Sequence, residues 1–213
     1  MILIMVGLPG SGKTSLAKEL VDFKPTNSPI INNVMEEFGE FKSVVSCTTR
    51  SAREGEVDGL DYFYLTQEEF ENLIENDEFI EYTKVYGEYK GLPKPNWSKP
   101  SRYDSIESIS YSQSNVVMIL DPKGTKLIKN MYPDALVVYL DIPSKLSEAR
   151  MVRRGDDELS ISKRMLEIKS YTDFRDSGFA DAIIDSSTPI DDTFRRLVMV
   201  LDASKDYSCE ISS

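Results

Sequence analysis

Residues 7–14 read Gly-Leu-Pro-Gly-Ser-Gly-Lys-Thr, directly after the apolar run Ile2-Leu3-Ile4-Met5-Val6 and directly before Ser15-Leu16-Ala17-Lys18-Glu19-Leu20. An apolar strand, a glycine-rich turn and a helix-prone segment in that order make a phosphate-binding loop in its proper setting. Three glycines let the backbone turn tightly enough for successive N–H groups to point inward at a phosphate. Lys13 can then reach the β- and γ-phosphates of a nucleotide, and the Thr14 hydroxyl can ligate Mg²⁺. The loop names a user of nucleoside triphosphates and leaves the second substrate open.

Composition narrows the class. With 213 residues and 40% apolar content, the chain suits one compact unit with a sizeable core and room for a subdomain or lid. Cys47 and Cys209 lie far apart and lack metal-ligand spacing, which fits a reducing compartment. Histidine is absent. Histidine bases, Ser-His-Asp triads and histidine zinc sites are thereby excluded. A net charge of −11 disfavours a polyanionic partner, so no nucleic acid is expected. No cleavable leader and no run of 18 apolar residues is present, so the expectation is a soluble, cytoplasmic protein without a membrane partner.

Outward from the loop, the helix is expected from Thr14 to about Asp22, followed by a connector from Phe23 to Asn33 containing Pro25 and Pro29. A short helical turn is expected over Val34–Phe38 and a strand over Phe41–Cys47. Residues 48–56, TTRSAREGE, form a polar loop with two arginines three apart. Tyr62–Leu65 reads as strand, and Thr66 with Glu69 makes a capping box that opens a helix with Phe70, Leu73 and Ile74 on one face. Glu78–Tyr89 suggests two short strands turning near Gly87. The segment from Gly91 to Asn115, with Pro93, Pro95, Pro100 and Trp97, is expected to be a long loop with a helical turn around Ile106. Trp97 can either cover a binding site or pack on the body. Val116–Asp121 and Ala135–Leu140 lack the alternation of half-exposed strands and predict a buried parallel sheet wrapped by helices. Helices are expected over Lys145–Arg154, Ser160–Arg175 and Thr193–Leu201, with a last strand over Asp181–Asp185 and a frayed tail beyond Asp202.

Residues 44–91, VVSCTTRSAREGEVDGLDYFYLTQEEFENLIENDEFIEYTKVYGEYKG, resemble the monophosphate-binding segment of guanylate kinases. The similarity continues through ILDPKG at 119–124 and the arginine-bearing stretch at 150–164, in the family's order. It implies an α/β, three-layer P-loop kinase fold with a central parallel sheet, a small mixed α/β nucleoside-monophosphate-binding subdomain and a lid. The implied organisation is a single domain over 1–213: core at 1–43 and 116–205, GMP-binding subdomain at 44–91, extended loop at 92–115, lid region at 145–165 and tail at 206–213.

The resemblance also implies roles. Gly7, Leu8, Pro9, Gly10, Ser11, Gly12, Lys13 and Thr14 would bind ATP, with Mg²⁺ on Thr14. Arg50 and Arg53 would grip the GMP phosphate with Tyr62, a pairing that suits two guanidinium forks beside a phenol. Glu81 would read guanine through N1–H and the exocyclic amine, an edge on which adenine offers no such paired donors. Ser46 and Asp121 match positions around the base. Lys13, Arg150, Arg154 and Arg164 would cancel charge on the transferring phosphoryl group. Phosphoryl transfer to a phosphate acceptor depends on positioning and charge cancellation, and the acceptor anion needs no general base.

Departures accompany the match. Lys90 stands where the family has a phosphate-binding tyrosine, and a lysine can still meet the phosphate. Leu92 replaces a serine or threonine that bonds the base, and Ile119 replaces the first strand-end aspartate. The expected activity is transfer of the ATP γ-phosphate to GMP or dGMP, within purine nucleotide metabolism. The alternatives are a kinase for a modified or different nucleoside monophosphate, and a phosphopartner-binding module of the same fold. The sequence leaves monomer and homodimer equally open.

Overall fold

The computed structural model describes residues 1–85, 87–103, 109–111 and 113–210, with the side chains of residue 85 and residues 206–210 left undescribed. In chain order the elements are β1 (Ile2–Gly7), α1 (Lys13–Val21), α2 (Pro29–Phe38), β2 (Phe41–Ser43), β3 (Cys47–Thr48), β4 (Phe63–Tyr64), α3 (Gln67–Glu75), β5 (Phe79–Val85) and β6 (Glu88–Pro93). After a 3₁₀ turn at Ser101–Tyr103 come β7 (Asn115–Ile119), α4 (Pro122–Met131), β8 (Leu136–Asp141), α5 (Ser144–Arg153), α6 (Glu158–Leu166), α7 (Ile168–Asp176), β9 (Ala182–Asp185) and α8 (Ile190–Glu210). They fall into two compact units, one made of Met1–Ser43 with Asn115–Ser213 and the other of Val44–Ser114.

The first unit is built on a parallel sheet of order β2-β7-β1-β8-β9. Every residue of β1 is buried because the strand lies in the centre with helices over both faces. Leu3 and Met5, with Val117, Val138, Leu140 and Ile184 from neighbouring strands, pack against Leu16 and Leu20 of α1, Val34 of α2 and Leu197 and Leu201 of α8. Alternate residues point the other way, as strand geometry requires. There Tyr139 stacks on Phe174 of α7 at 6.4 Å between ring centres, and α4 packs against α7 and β1. The expected helix–sheet–helix sandwich is therefore present.

The second unit holds a mixed sheet of order β4-β3-β6-β5, parallel between β3 and β4 and antiparallel elsewhere. Its core is aromatic: Phe70 stacks on Phe79 at 4.4 Å and on Tyr89 at 4.9 Å, and Phe63 meets Trp97 edge-on at 5.1 Å. Trp97 is buried in this cluster, which assigns it to packing. The Thr66–Glu69 capping box opens α3 as expected, with both reciprocal hydrogen bonds formed.

Several boundaries differ from the sequence expectations. The segment expected to be a connector and a short turn is a ten-residue helix, α2, because Pro29 stands at the helix start where its missing N–H costs nothing. The strand expected over Phe41–Cys47 is two strands in separate sheets, and the division between the units falls within it. One helix over Ser160–Arg175 is instead α6 and α7, divided at Glu167, whose N–H donates to Arg164 O at 3.1 Å. The 92–115 loop begins with the end of β6, and the turn expected around Ile106 lies outside the described residues. Where a frayed tail is expected beyond Asp202, α8 continues to Glu210, and the rest of that tail lies outside the described residues. Lys205 pairs with both Glu37 and Asp202, tying that end of α8 to α2.

Tyr139 carries the one buried side-chain oxygen without a hydrogen-bond partner among the described residues, and burial pushes its phenol up to about 12. A hydroxyl desolvated without a partner costs about 1–3 kcal/mol. Tyr139→Phe is expected to hold or raise the urea midpoint. A fall of more than about 1 kcal/mol would show that the hydroxyl is bonded after all.

Candidate active site

In the first unit the 7–14 loop is shaped by close backbone approach. Gly7 lies where an added Cβ would come within 2.4 Å of the Leu140 carbonyl oxygen. At Gly10 a Cβ would meet the Ser147 carbonyl oxygen at 2.9 Å, on a backbone with φ +74°. Helix α5 thus sits directly against the loop. Ser147, fully buried, donates its hydroxyl to Pro9 O at 2.5 Å. Arg150, one turn on, donates to Gly10 O at 3.2 Å and to Ser186 O at 3.0 Å.

Lys13 curls back over the loop, its ammonium donating to Gly7 O at 2.7 Å, Leu8 O at 2.8 Å and Ser11 Oγ at 3.3 Å. These bonds hold the Lys13 ammonium over the turn. Thr14 is exposed in the first turn of α1. Asp121 caps α4 by accepting from Gly124 N at 2.8 Å.

Arg154 and Arg164 stand at the ends of α5 and α6 and converge on one carboxylate. Arg154 donates Nε and Nη2 to Asp156 at 2.9 and 2.5 Å, and Arg164 donates to the same Oδ2.

In the second unit, Arg50, Arg53 and Tyr62 do come together, around a residue that motif reading left unassigned. Glu56 accepts both Nη atoms of Arg50 at 2.7 Å each, the Arg53 backbone N–H at 2.7 Å and the Tyr64 hydroxyl at 2.7 Å. Arg50 also lies over the Tyr62 ring at 5.0 Å and the Tyr64 ring at 5.6 Å. Burial pushes the Glu56 carboxyl up, but the Arg50, Arg53 and Tyr64 hydrogen bonds outweigh it and hold the group at about 2. Burial likewise pulls Arg50 down and pairing with Glu56 more than offsets it, so the guanidinium is held firmly charged.

Sheet register decides which side chains join this cluster. Lys90 lies opposite Thr83 on one side and Thr48 on the other, and its ammonium stands 6.0 Å from the Tyr62 ring centre. Leu92, two residues on and fully buried, lies opposite Glu81. Directly paired residues share a face, so Glu81, Leu92 and Lys90 face the same way. Phe79 faces the aromatic core on the other side. A register shift between Phe79 and Glu81 makes that possible, because one extra residue turns the strand over and re-aims the side chains beyond it. Ser46, also buried, receives the Phe63 N–H at its carbonyl at 2.9 Å, beside β3.

The sequence profile described as "Guanylate kinase" matches residues 1–204. The chain belongs to the guanylate kinase family. A protein named guanylate kinase from Carboxydothermus hydrogenoformans is 35% identical over 167 residues, covering 78% of this chain and 71% of that one. Another so named, from Clostridioides difficile, is 32% identical over 181 residues, covering 82% and 77%. The crystal structure of guanylate kinase from Anaplasma phagocytophilum shares the fold at a TM-score of 0.56 and 22% identity, over 95% of this chain and 85% of that one. By family, this protein is a phosphotransferase of the nucleoside monophosphate kinase class.

Because the folded Glu56 carboxyl titrates at about 2 rather than 4.5, it stabilises the fold fully above pH 4.5 and loses that contribution as pH falls toward about 2. Unfolding midpoints in urea at about pH 6 and about pH 3 are expected to drop more steeply in the natural chain than in Glu56→Gln. Parallel pH dependence in the two would remove Glu56 from this role.

Proposed function

We propose that this member of the guanylate kinase family transfers the γ-phosphate of ATP to GMP or dGMP, giving ADP and the corresponding diphosphate. The observation that carries the reading is the joint presence of a complete phosphate loop with Lys13 and a separate arginine–phenol cluster around Arg50. The first suits a triphosphate and the second a compact dianion.

On this reading the N–H groups of residues 7–14 and Lys13 bind the donor phosphates. Lys13 exchanges the carbonyls of Gly7 and Leu8 for phosphate oxygens. Arg150 keeps Gly10 in place from behind, so its contribution to charge cancellation comes together with support of the loop. In the acceptor site Arg50, Arg53 and Tyr62 hold the monophosphate, and Lys90 supplies a further cation. Glu56 keeps Arg50 and the Arg53 backbone in position while the phosphate is absent. Glu81 reads the guanine edge, and the buried Leu92 beside it offers apolar contact where a hydroxyl would offer a hydrogen bond. Ser46 belongs to the surroundings of the base.

The exposed Thr14 hydroxyl fits Mg²⁺, a hard cation that takes oxygen ligands and usually keeps phosphates and waters as most of its shell. When bound there, the ion would neutralise charge on the β- and γ-phosphates. No helix among the described residues is long and apolar enough to cross a membrane. A cytoplasmic setting is part of the reading.

With ATP and Mg²⁺, GMP is expected to yield GDP and ADP in equal amounts. Lys13→Met is expected to lower kcat by about 100-fold or more, at unchanged secondary structure. Glu81→Gln is expected to lower kcat/KM for GMP by roughly 100-fold through the acceptor KM, since a charge-assisted pairing with the base is lost. Full activity in both variants would contradict the assignment.

A further inference from the structure

Helix α5 ends in a turn whose geometry is fully specified. The N–H of Gly155 donates to Val152 O at 2.9 Å and that of Asp156 to Met151 O at 3.1 Å, the paired bonds of a Schellman motif. Gly155 takes the left-handed conformation that the motif requires, with φ +81°. Asp157 comes immediately after as the N-cap of α6, accepting from Ser160 N at 2.9 Å. Two helices are therefore joined by a short corner with no slack, and the side chain between them is Asp156.

That carboxylate is only 1% exposed, yet its partners are two arginines on opposite sides of the turn, Arg154 at 43% and Arg164 at 26%. Arg154 uses Nε and Nη2, the side-on fork, and Arg164 uses Nη1. Two guanidinium groups held this close repel unless an anion lies between them. A carboxylate so deeply buried is costly unless fully paired. Each requirement meets the other here.

We propose that Asp156 is a positioning residue that holds Arg154 and Arg164 as one preorganised cationic pair for the phosphoryl group in transfer. The inference rests on the phosphotransferase reading above and adds a residue to it. Asp156 does not touch the nucleotide. Its hydrogen bonds to the two arginines cancel one of their charges and fix both guanidinium planes, so the pair meets the developing charge without first being ordered. Because the turn's backbone bonds are made independently of the carboxylate, the side chain can change while the corner persists.

The test uses Asp156→Asn, which preserves size, and Asp156→Glu, which preserves charge. In Asp156→Asn, kcat with GMP is expected to fall by about 10- to 100-fold while the KM for GMP stays within about twofold. Asp156→Glu is expected to recover part of that loss. A second measurement needs no turnover: the preference for a non-hydrolysable ATP analogue over ADP, by calorimetry, is expected to fall about tenfold in Asp156→Asn and less in Asp156→Glu. If the natural chain turns over no GMP, the proposed acceptor is wrong, and the ratio of analogue to ADP still decides the role of Asp156. An unchanged ratio, tighter binding of the analogue in Asp156→Asn, an equal loss in both variants, or failure of Asp156→Asn to fold would each overturn the proposal.

Discussion

Backbone against backbone at Gly7 and Gly10 is the constraint on which the shape of the 7–14 loop depends. The Leu140 carbonyl of β8 stands against one glycine and the Ser147 carbonyl of α5 against the other, so neither position has room for a Cβ. β1 must therefore be the buried central strand, flanked by β7 and β8, for its end to deliver the chain to α5 at this distance. Once there, the loop is fastened by the Ser147 hydroxyl and the Arg150 guanidinium, and Lys13 folds over it. A phosphate site made of N–H groups works only if those groups are already aimed, and this packing aims them.

A second theme is how an acidic chain keeps its arginines usable. With a net charge of −11, cations here have many carboxylates to meet. In each unit one carboxylate holds arginines of interest, Glu56 for Arg50 and the Arg53 backbone and Asp156 for Arg154 and Arg164, while Arg150 is held by carbonyls. Such pairing has little value at a fully exposed surface. Here Glu56 and Asp156 are largely screened from water, at 19% and 1% exposure, so the pairs are geometric fixtures. Each leaves a guanidinium whose orientation is settled before an anion arrives.

Much of this was legible in the sequence, because local patterns report local physics. The run Ile2–Val6 showed a strand buried on both faces, Thr66 with Glu69 showed a helix start, and GLPGSGKT showed its own turn. The features that stayed hidden depend on partners distant in sequence or on geometry without a composition signal. Glu56 sits six residues from Arg50 in a loop of no periodicity, and Asp156 looks like one acid among several in RRGDDE. Ser147 was invisible because only the fold brings it to Pro9. The register shift that turns Glu81 away from Phe79 leaves no mark in the residue types, although it decides which face Glu81 shares with Lys90 and Leu92. Pro29 misled in the other direction, since a proline that stops one helix can open the next.

The central claim is the proposal that the Arg50 cluster and Glu81 recognise a guanine monophosphate. Its most direct test is kcat/KM of the unaltered chain for GMP against AMP, with ATP and Mg²⁺ held constant. The account predicts a preference for GMP of roughly 10⁴ or more, the discrimination expected when a carboxylate covered by the bound base would be left facing adenine without its paired donors. Comparable turnover of AMP and GMP, or preference for a pyrimidine monophosphate, would contradict it.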